Sequence, residues 1–209
     1  MSVRIAVVDY GRGNLHSIVK ALDCAGARAK LITEDDRSEF DLLVIPGVGA
    51  FAAAMRELRN RGLDKFVYRF AESGRRVLGI CLGCQMLMSN SEEFEGEQGL
   101  GLIAGEVVLI PPSSEPVPHV GWKKLQNVNL RGAQREDPFP SIKNGVWTYF
   151  VHSFHCVPQD TANLRATVTH GDKDLTAIVG RDNIFGFQFH TEKSGPAGLE
   201  ILRDFLKLE

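Results

Sequence analysis

Residues 77–85 read Val77-Leu78-Gly79-Ile80-Cys81-Leu82-Gly83-Cys84-Gln85, and this stretch predicts more about the fold than any other. Val77 to Ile80 is an apolar run typical of a buried strand, and residues 83–88 are compatible with a helix. Glycines stand two residues before and two residues after Cys81. This spacing is typical of a nucleophile elbow, a strained strand-to-helix corner in which glycines remove clashing Cβ atoms. We therefore predict that Cys81 lies above a sheet edge at a helix N-terminus, where a thiolate is favoured.

The same nine residues allow two other interpretations. Cys81 and Cys84 form a C-x-x-C motif, which after a strand can indicate a thioredoxin-like redox pair or metal ligands. A cysteine in an apolar segment is also commonly a small buried hydrophobe with no chemical role. The stretch alone leaves the nucleophile, redox and packing interpretations open, so the rest of the chain has to separate them.

Length and composition narrow the class of protein. A chain of 209 residues fits one globular domain with a large core. The 24 Lys and Arg residues against 26 Asp and Glu residues give a net charge of -2 with no basic block, so no nucleic acid or membrane partner is expected. The chain has 4 cysteines, too few for a disulfide scaffold, and shows neither a signal peptide nor an apolar run of spanning length. We expect a cytoplasmic protein.

Apolar β-type segments alternate with helical patterns in the first half of the chain. Strands are predicted at 5–8, 29–33, 42–45 and 77–80, and helices from Asn14 to Gly26 and over 50–59 and 63–72. This alternation predicts an α/β fold with a mostly parallel central sheet. A strand over 103–110 precedes a polar region in which His119-Val120-Gly121-Trp122 is predicted to be a loop. Four closely spaced strands at 147–151, 164–169, 176–179 and 184–189 predict antiparallel additions near the C-terminus.

One histidine stands apart from the others. His190 follows the last predicted strand and precedes Glu192 by two residues, so in an extended segment the two side chains point the same way. A carboxylate beside an imidazole can hold it in the tautomer that a catalytic base needs. His16 is predicted on a helix surface, and His155 and His170 are predicted at the surface beside polar turns.

Several motifs together resemble a known family. G-I-C-L-G-C-Q at 79–85 and F-Q-F-H-T-E-K-S at 187–194 resemble the triad (class I) glutamine amidotransferases. Within that family, the chain is most similar to the glutaminase subunits of imidazole glycerol phosphate synthases. The motifs that carry this closer similarity are D-Y-G-R-G-N at 9–14, P-G-V-G-A-F at 46–51, H-V-G-W at 119–122 and Y-F-V-H-S-F at 149–154. The resemblance implies a single three-layer αβα domain over residues 1–209.

The resemblance also implies the roles of individual residues. Cys81 would be the nucleophile, His190 the general acid and base, and Glu192 its orienting carboxylate. The oxyanion would be bound by backbone N–H groups of Leu82 and of the Val48-Gly49 peptide, which could flip in the complex. L-Glutamine would be held by Gln85, Glu93, His152, Ser153 and Phe154. The resemblance implies no cofactor and no metal.

A partner is implied as well. The family's glutaminase subunits pass ammonia to a (β/α)8 cyclase subunit, in a heterodimer that forms imidazole glycerol phosphate and AICAR in histidine biosynthesis. By resemblance, the docking face includes Asn14, Trp122 and Lys193. A tryptophan at the centre of an interface is the kind of residue that anchors it.

Three residues depart from the family pattern. Thr191 stands where proline is usual, Cys84 where methionine is more common, and Phe154 where tyrosine is common. The first departure affects the backbone between His190 and Glu192, and the last removes a hydroxyl group beside the substrate. Because Cys84 alone creates the C-x-x-C motif, we interpret that motif as coincidental and Cys84 as a packing residue.

Overall fold

The computed structural model describes residues 3–36, 38–94, 96–130 and 137–207, so the two residues at each end of the predicted domain lie outside the described residues. The helices are α1 Leu15–Ala25, α2 Phe51–Asn60, α3 Leu63–Glu72, α4 Leu82–Met86 and α5 Gly195–Phe205. The strands are β1 Arg4–Val8, β2 Arg28–Ile32, β3 Leu42–Gly47, β4 Val77–Cys81, β5 Asn90–Ser91, β6 Glu97–Gln98, β7 Gly105–Leu109, β8 His119–Lys124, β9 Trp147–His152, β10 Phe154–Pro158, β11 Leu164–His170, β12 Lys173–Arg181 and β13 Ile184–Phe187. Short 3-10 turns cover Thr161–Asn163 and Thr191–Lys193.

A seven-stranded sheet forms the centre of the molecule, with the order β11-β12-β13-β4-β3-β1-β2. The strands from β13 to β2 pair in parallel, whereas β12 and β11 add antiparallel pairs at one edge. The predicted α/β fold, with a mostly parallel sheet and antiparallel additions near the C-terminus, is therefore confirmed. Because β4 lies between β3 and β13, the carboxyl ends of these three strands meet at one edge, where α/β sheets bind ligands.

Helices cover both faces of this sheet. Alternate residues of β1 belong to different cores: Ala6 and Val8 pack with α2, α3 and α4, whereas Ile5 and Val7 pack with α1 and α5. This period of two is what a strand buried on both faces requires. The result is the three-layer αβα arrangement. No helix in the described ranges is both long and apolar enough to cross a membrane.

Two smaller sheets lie outside the central one. One has the order β10-β7-β5-β6, and the other pairs β8 with β9. The prediction of a loop around residues 119–122 is therefore wrong, because these residues form β8, with Trp122 opposite Tyr149. The two paired segments are far apart in the sequence. Residues 119–122 contain too few apolar residues to show a strand pattern of their own.

The predicted surface positions of His155 and His170 are also wrong. His155 lies in β10 and is 8% exposed, while His170 ends β11 and is 1% exposed. The His170 ring lies 4.7 Å from the ring of His119, another buried side chain. Turn residues adjoin both histidines in sequence, but the small sheets cover these side chains when they pack on the central sheet.

Candidate active site

Cys81 occupies a strained corner between β4 and α4. Its φ of 54° and ψ of -109° are rare for a residue with a side chain. A Cβ atom on Gly79 would lie 2.5 Å from the carbonyl oxygen of Gly83, and one on Gly83 would lie 1.7 Å from the carbonyl oxygen of Ile45. Both flanking glycines are thus required by close backbone approach, which is the geometry expected of a nucleophile elbow.

His190 and Glu192 form a buried pair at the end of the neighbouring strand. The distance from His190 Nδ1 to Glu192 Oε1 is 2.7 Å, and both side chains are at most 5% exposed. The contact arises differently from the prediction, because residues Thr191–Lys193 form a 3-10 turn rather than an extended segment. The turn still brings the carboxylate under the ring, and the other ring nitrogen, Nε2, is buried without a hydrogen-bond partner among the described residues.

The charge state of His190 follows from its neighbours. Burial lowers the pKa of His190, but the neighbouring Cys81 and Glu192 raise it by more, so that it reaches about 9. At neutral pH the ring is therefore an imidazolium beside the cysteine sulfur. An imidazolium next to a thiolate can donate a proton to a leaving amine, as nucleophilic catalysis by cysteine requires.

Cys84 occupies a different environment from Cys81. Its sulfur lies 3.6 Å from the sulfur of Cys156, and both are buried. Burial, together with a hydrogen bond to Cys156, raises the pKa of Cys84 well above its ordinary value. The side chain also fills the space beside Gly186, where an added Cβ would approach its sulfur to 2.6 Å. These contacts describe a packing residue and do not favour a Cys81–Cys84 redox pair.

The loop after β3 lies next to the elbow, since Gly47 pairs with Cys81 across the two strands. It is fixed at both ends: the Tyr10 hydroxyl donates to the Pro46 carbonyl at 2.9 Å, and the Phe51 N–H donates to Glu93 Oε2 at 2.6 Å. Between these anchors, Gly49 has a φ of 102°. Such a loop, with glycine backbone at the end of a parallel strand, can direct bare N–H groups toward a bound anion.

A cavity of about 330 Å³ opens in front of Cys81. It gathers every residue that the resemblance implied for glutamine binding and oxyanion binding, together with Cys81 and His190. The cavity is lined by Val48, Gly49, Cys81, Leu82, Gln85, Glu93, Val151, His152, Ser153, Phe154 and His190. Glu192 lies behind His190 and reaches the cavity only through it. This volume is within the range of small-molecule sites.

The three residues implied for docking lie outside the cavity. Asn14 and Lys193 are exposed, and Trp122 is 47% exposed. Trp122 and Lys193 lie together on Tyr149: the Trp122 ring centroid is 5.9 Å from that of Tyr149, and Lys193 Nζ is 5.9 Å from the same ring. Tyr149 is linked in turn to His190, because the Tyr149 carbonyl accepts the N–H of His190 at 2.9 Å.

Sequence reasoning missed three residues of this site: Tyr10, Val151 and Gln188. Gln188 is 1% exposed, and its Nε2 lies 3.8 Å from the sulfur of Cys81. Its signal was a polar residue inside the apolar run F-G-F-Q-F, two positions before His190. The contacts of Tyr10 and Val151 depend on neighbouring strands and carried no comparable signal.

The central sheet, with a cysteine at its elbow and a histidine–carboxylate pair on the next strand, defines a class of α/β enzymes that use a triad. The chain belongs to the class-I glutamine amidotransferase family. The model of that family, described as "Glutamine amidotransferase class-I", matches residues 6–208. The resemblance that the sequence motifs indicated is therefore confirmed.

Curated relatives cover nearly the whole chain. The chain is 44% identical over 209 residues to imidazole glycerol phosphate synthase subunit HisH of Synechococcus sp. (strain JA-2-3B'a(2-13)), covering 99% of this chain and 93% of the relative. It is 40% identical to the subunit HisH of Aquifex aeolicus (strain VF5), with 97% and 96% coverage. A chain in the structure of PurLQS from Thermotoga maritima shares the fold, with a TM-score of 0.74, 22% identity and coverage of 99% and 98%.

Proposed function

We propose that this chain is the glutaminase subunit of an imidazole glycerol phosphate synthase and that residues 1–209 form its single glutamine amidotransferase domain. The observation that carries the proposal is the cavity in front of Cys81. An elbow cysteine, a buried histidine and a glycine loop surround one space large enough for an amino acid. Family membership and the names of the relatives support glutamine as the substrate.

The reaction would proceed through a thioester. The Cys81 thiolate attacks the side-chain amide carbon of glutamine, and the resulting oxyanion is met by the N–H groups of Leu82 and the Val48-Gly49 peptide. The His190 imidazolium gives its proton to the departing nitrogen, and ammonia leaves. Water then attacks the γ-glutamyl thioester while His190 accepts a proton, which releases glutamate and restores the thiolate. Glu192 keeps the ring oriented through both steps.

Substrate recognition is assigned to the remaining residues of the cavity. Gln85 Nε2 already donates to Phe154 O at 2.9 Å and to Gln188 Oε1 at 3.1 Å, so its own carbonyl oxygen is left to accept from the substrate. The Glu93 carboxylate suits the ammonium group of an amino acid. His152 and Ser153 contribute backbone and side-chain surface to the same wall.

The partner is a (β/α)8 cyclase subunit that receives the ammonia. Ammonia is a nucleophile only while it is unprotonated, so a water-excluded route between the two subunits prevents its loss. The docking face would include Asn14, Trp122 and Lys193, and Trp122 and Lys193 lie over Tyr149, whose backbone contacts His190. A cytoplasmic location fits the metabolic role of such a complex.

The experiment that tests this function is ammonia release from glutamine, measured with and without the matching cyclase and its nucleotide ligand. We expect slow release by the chain alone and an increase by orders of magnitude in the complex. Cys81→Ser should abolish release in both conditions. Equally fast release without the cyclase would contradict the proposed dependence on a partner, and labelling by a glutamine-analogue chloroketone at any residue other than Cys81 would contradict the assigned nucleophile.

A further inference from the structure

Gln188 joins the nucleophile to a buried chain of polar groups. It follows β13 directly and is 1% exposed. Its Oε1 accepts a hydrogen bond from Gln85 Nε2 at 3.1 Å, and its Nε2 lies 3.8 Å from Cys81 Sγ, a distance suited to a hydrogen bond to sulfur. The side chain therefore lies between the elbow helix and the cysteine sulfur, inside the core and away from solvent.

The direction of these hydrogen bonds is set by groups that have only one possible role. The Phe154 carbonyl oxygen can only accept, so the Gln85 group at 2.9 Å must be its NH₂. The second N–H of that NH₂ then points to Gln188, whose oxygen must face it. The Gln188 NH₂ is consequently directed at the sulfur. Reversing either amide would place two donors or two acceptors against each other in a buried site.

Two histidines, of which His152 lines the cavity, extend the same chain. His152 Nδ1 lies 2.8 Å from the Phe154 carbonyl oxygen and so carries a hydrogen. Because burial lowers the pKa of His152 to about 3, the ring is neutral and its Nε2 accepts. His119 Nδ1 lies 3.0 Å from that Nε2 and donates to it. Every member from His119 to Gln188 therefore has one assigned direction, and that of the Gln188 amide follows from Gln85 and the Phe154 carbonyl.

We propose that Gln188 is a catalytic residue that donates a side-chain N–H to the Cys81 thiolate, holding the charged sulfur in line for attack. A donor fixed in advance stabilises charge without reorganising during the reaction, and hydrogen bonds to ionised groups are among the stronger ones. The donation moves no proton. The role of Gln188 in glutamine hydrolysis rests on the proposed function. The hydrogen bond itself concerns only the charge on the Cys81 sulfur.

The test measures alkylation of Cys81 by iodoacetamide in the full-length chain, because only the thiolate reacts. Two variants are compared: Gln188→Met, which keeps the length of the side chain and removes the donor without adding a charge, and Gln188→Glu, which keeps the acceptor for Gln85 but places a carboxyl group beside the sulfur. Peptide mass spectrometry follows each cysteine separately. Gln159→Glu is the matched control, since it makes the same chemical change at an exposed position. Exposed Cys24 is an internal reference in each sample, and buried Cys84 and Cys156 report on folding.

At about pH 7, we expect Gln188→Met to slow alkylation of Cys81 by at least about tenfold, as loss of a hydrogen bond to a charged group implies, and Gln188→Glu to slow it at least as much. At about pH 10 the rate should return to that of the unaltered chain, because the thiolate then forms in both proteins. Cys24 should react equally throughout, and Gln159→Glu should change nothing. A merely structural role for Gln188 would alter the rates at both pH values.

Equal Cys81 alkylation rates in the Gln188→Met variant and the unaltered chain at about pH 7, with Cys84 and Cys156 still protected, would overturn the inference. This outcome is separate from the fate of the proposed function, because alkylation requires neither glutamine nor a cyclase. If the unaltered complex releases ammonia but Cys81 of the Gln188→Met variant is alkylated at the unaltered rate, only the role of Gln188 is refuted. If the complex released no ammonia, a slowed alkylation would still support the hydrogen bond to sulfur.

Discussion

Acid should destabilise this protein well above the pH at which carboxylates titrate. Burial lowers the pKa of His119 to about 4, of His152 to about 3 and of His155 to about 4. In the unfolded chain, histidines take up protons near pH 6.5. Between about pH 6.5 and 4, the unfolded state therefore binds up to three more protons than the folded state does at these residues. The free energy of unfolding must then fall as the pH falls.

The expected size of this effect is large. Each such proton contributes about 1.4 kcal/mol per pH unit, so the three histidines together contribute up to about 4 kcal/mol per unit. Total stabilities of small domains are about 5–15 kcal/mol. Carboxylates with lowered pKa values, such as Asp36 at about 2, stabilise the fold above their unfolded pKa and lose that effect only at more acid pH. The interval from about pH 6.5 to 5 therefore isolates the histidines.

Urea unfolding at a series of pH values measures this slope, with tryptophan fluorescence as the signal. His155→Gln should reduce the slope by about one third, because one of the three titrating groups is lost. The exposed residue His16 provides the matched control, and His16→Gln should leave the slope unchanged. The comparison uses slopes, so a uniform loss of stability in His155→Gln does not affect it. Identical slopes in all three proteins would refute the argument that buried neutral histidines cause the acid sensitivity.

Three further predictions concern the elbow and its histidine. Glu192→Gln should lower the pKa of His190 from about 9, because one of the two groups that raise it becomes neutral, and NMR titration of the ring measures the change. Gly83→Ala should reduce glutaminase activity by about 100-fold or more, since its Cβ would lie 1.7 Å from the Ile45 carbonyl oxygen and the elbow must shift; steady-state kinetics test this. Cys84→Ser should leave ammonia release within a few-fold of the unaltered rate, and loss of activity would revive the redox interpretation.

The sequence predicted those parts of the structure that depend on local patterns. The elbow could be recognised because glycine spacing and an apolar strand are contiguous around Cys81. The order of strands and helices in the first half could be predicted for the same reason. The strand at residues 119–122 could not, because its pairing with residues 147–152 is non-local and its own alternation is weak. The strand pairing that buries His155 is also non-local, so the sequence around that residue does not predict it.

The pairing of His190 with Glu192 is an intermediate case. The prediction used an extended geometry, whereas the structure has a 3-10 turn over residues 191–193. Both conformations bring the carboxylate near the ring, so the contact was predictable although the backbone was not. Gln188 is the opposite case. Its place two residues before His190 can be read from the sequence, but the orientation of its amide group depends on Gln85 and on the carbonyl group of Phe154. Only the folded arrangement orders these donors and acceptors.

The short length of α4 bears on what stabilises charge at Cys81. The sequence suggested that a helix N-terminus would favour the thiolate, but α4 contains only 5 residues. A helix of that length rises about 7.5 Å, so the opposing charge at its C-terminal end lies close to the sulfur and offsets much of the effect. His190 and the donor proposed at Gln188 approach the sulfur from the segment that follows β13 instead. His190 and Gln188, rather than the short helix after the elbow, are therefore the groups that we expect to stabilise a negative charge on the Cys81 sulfur.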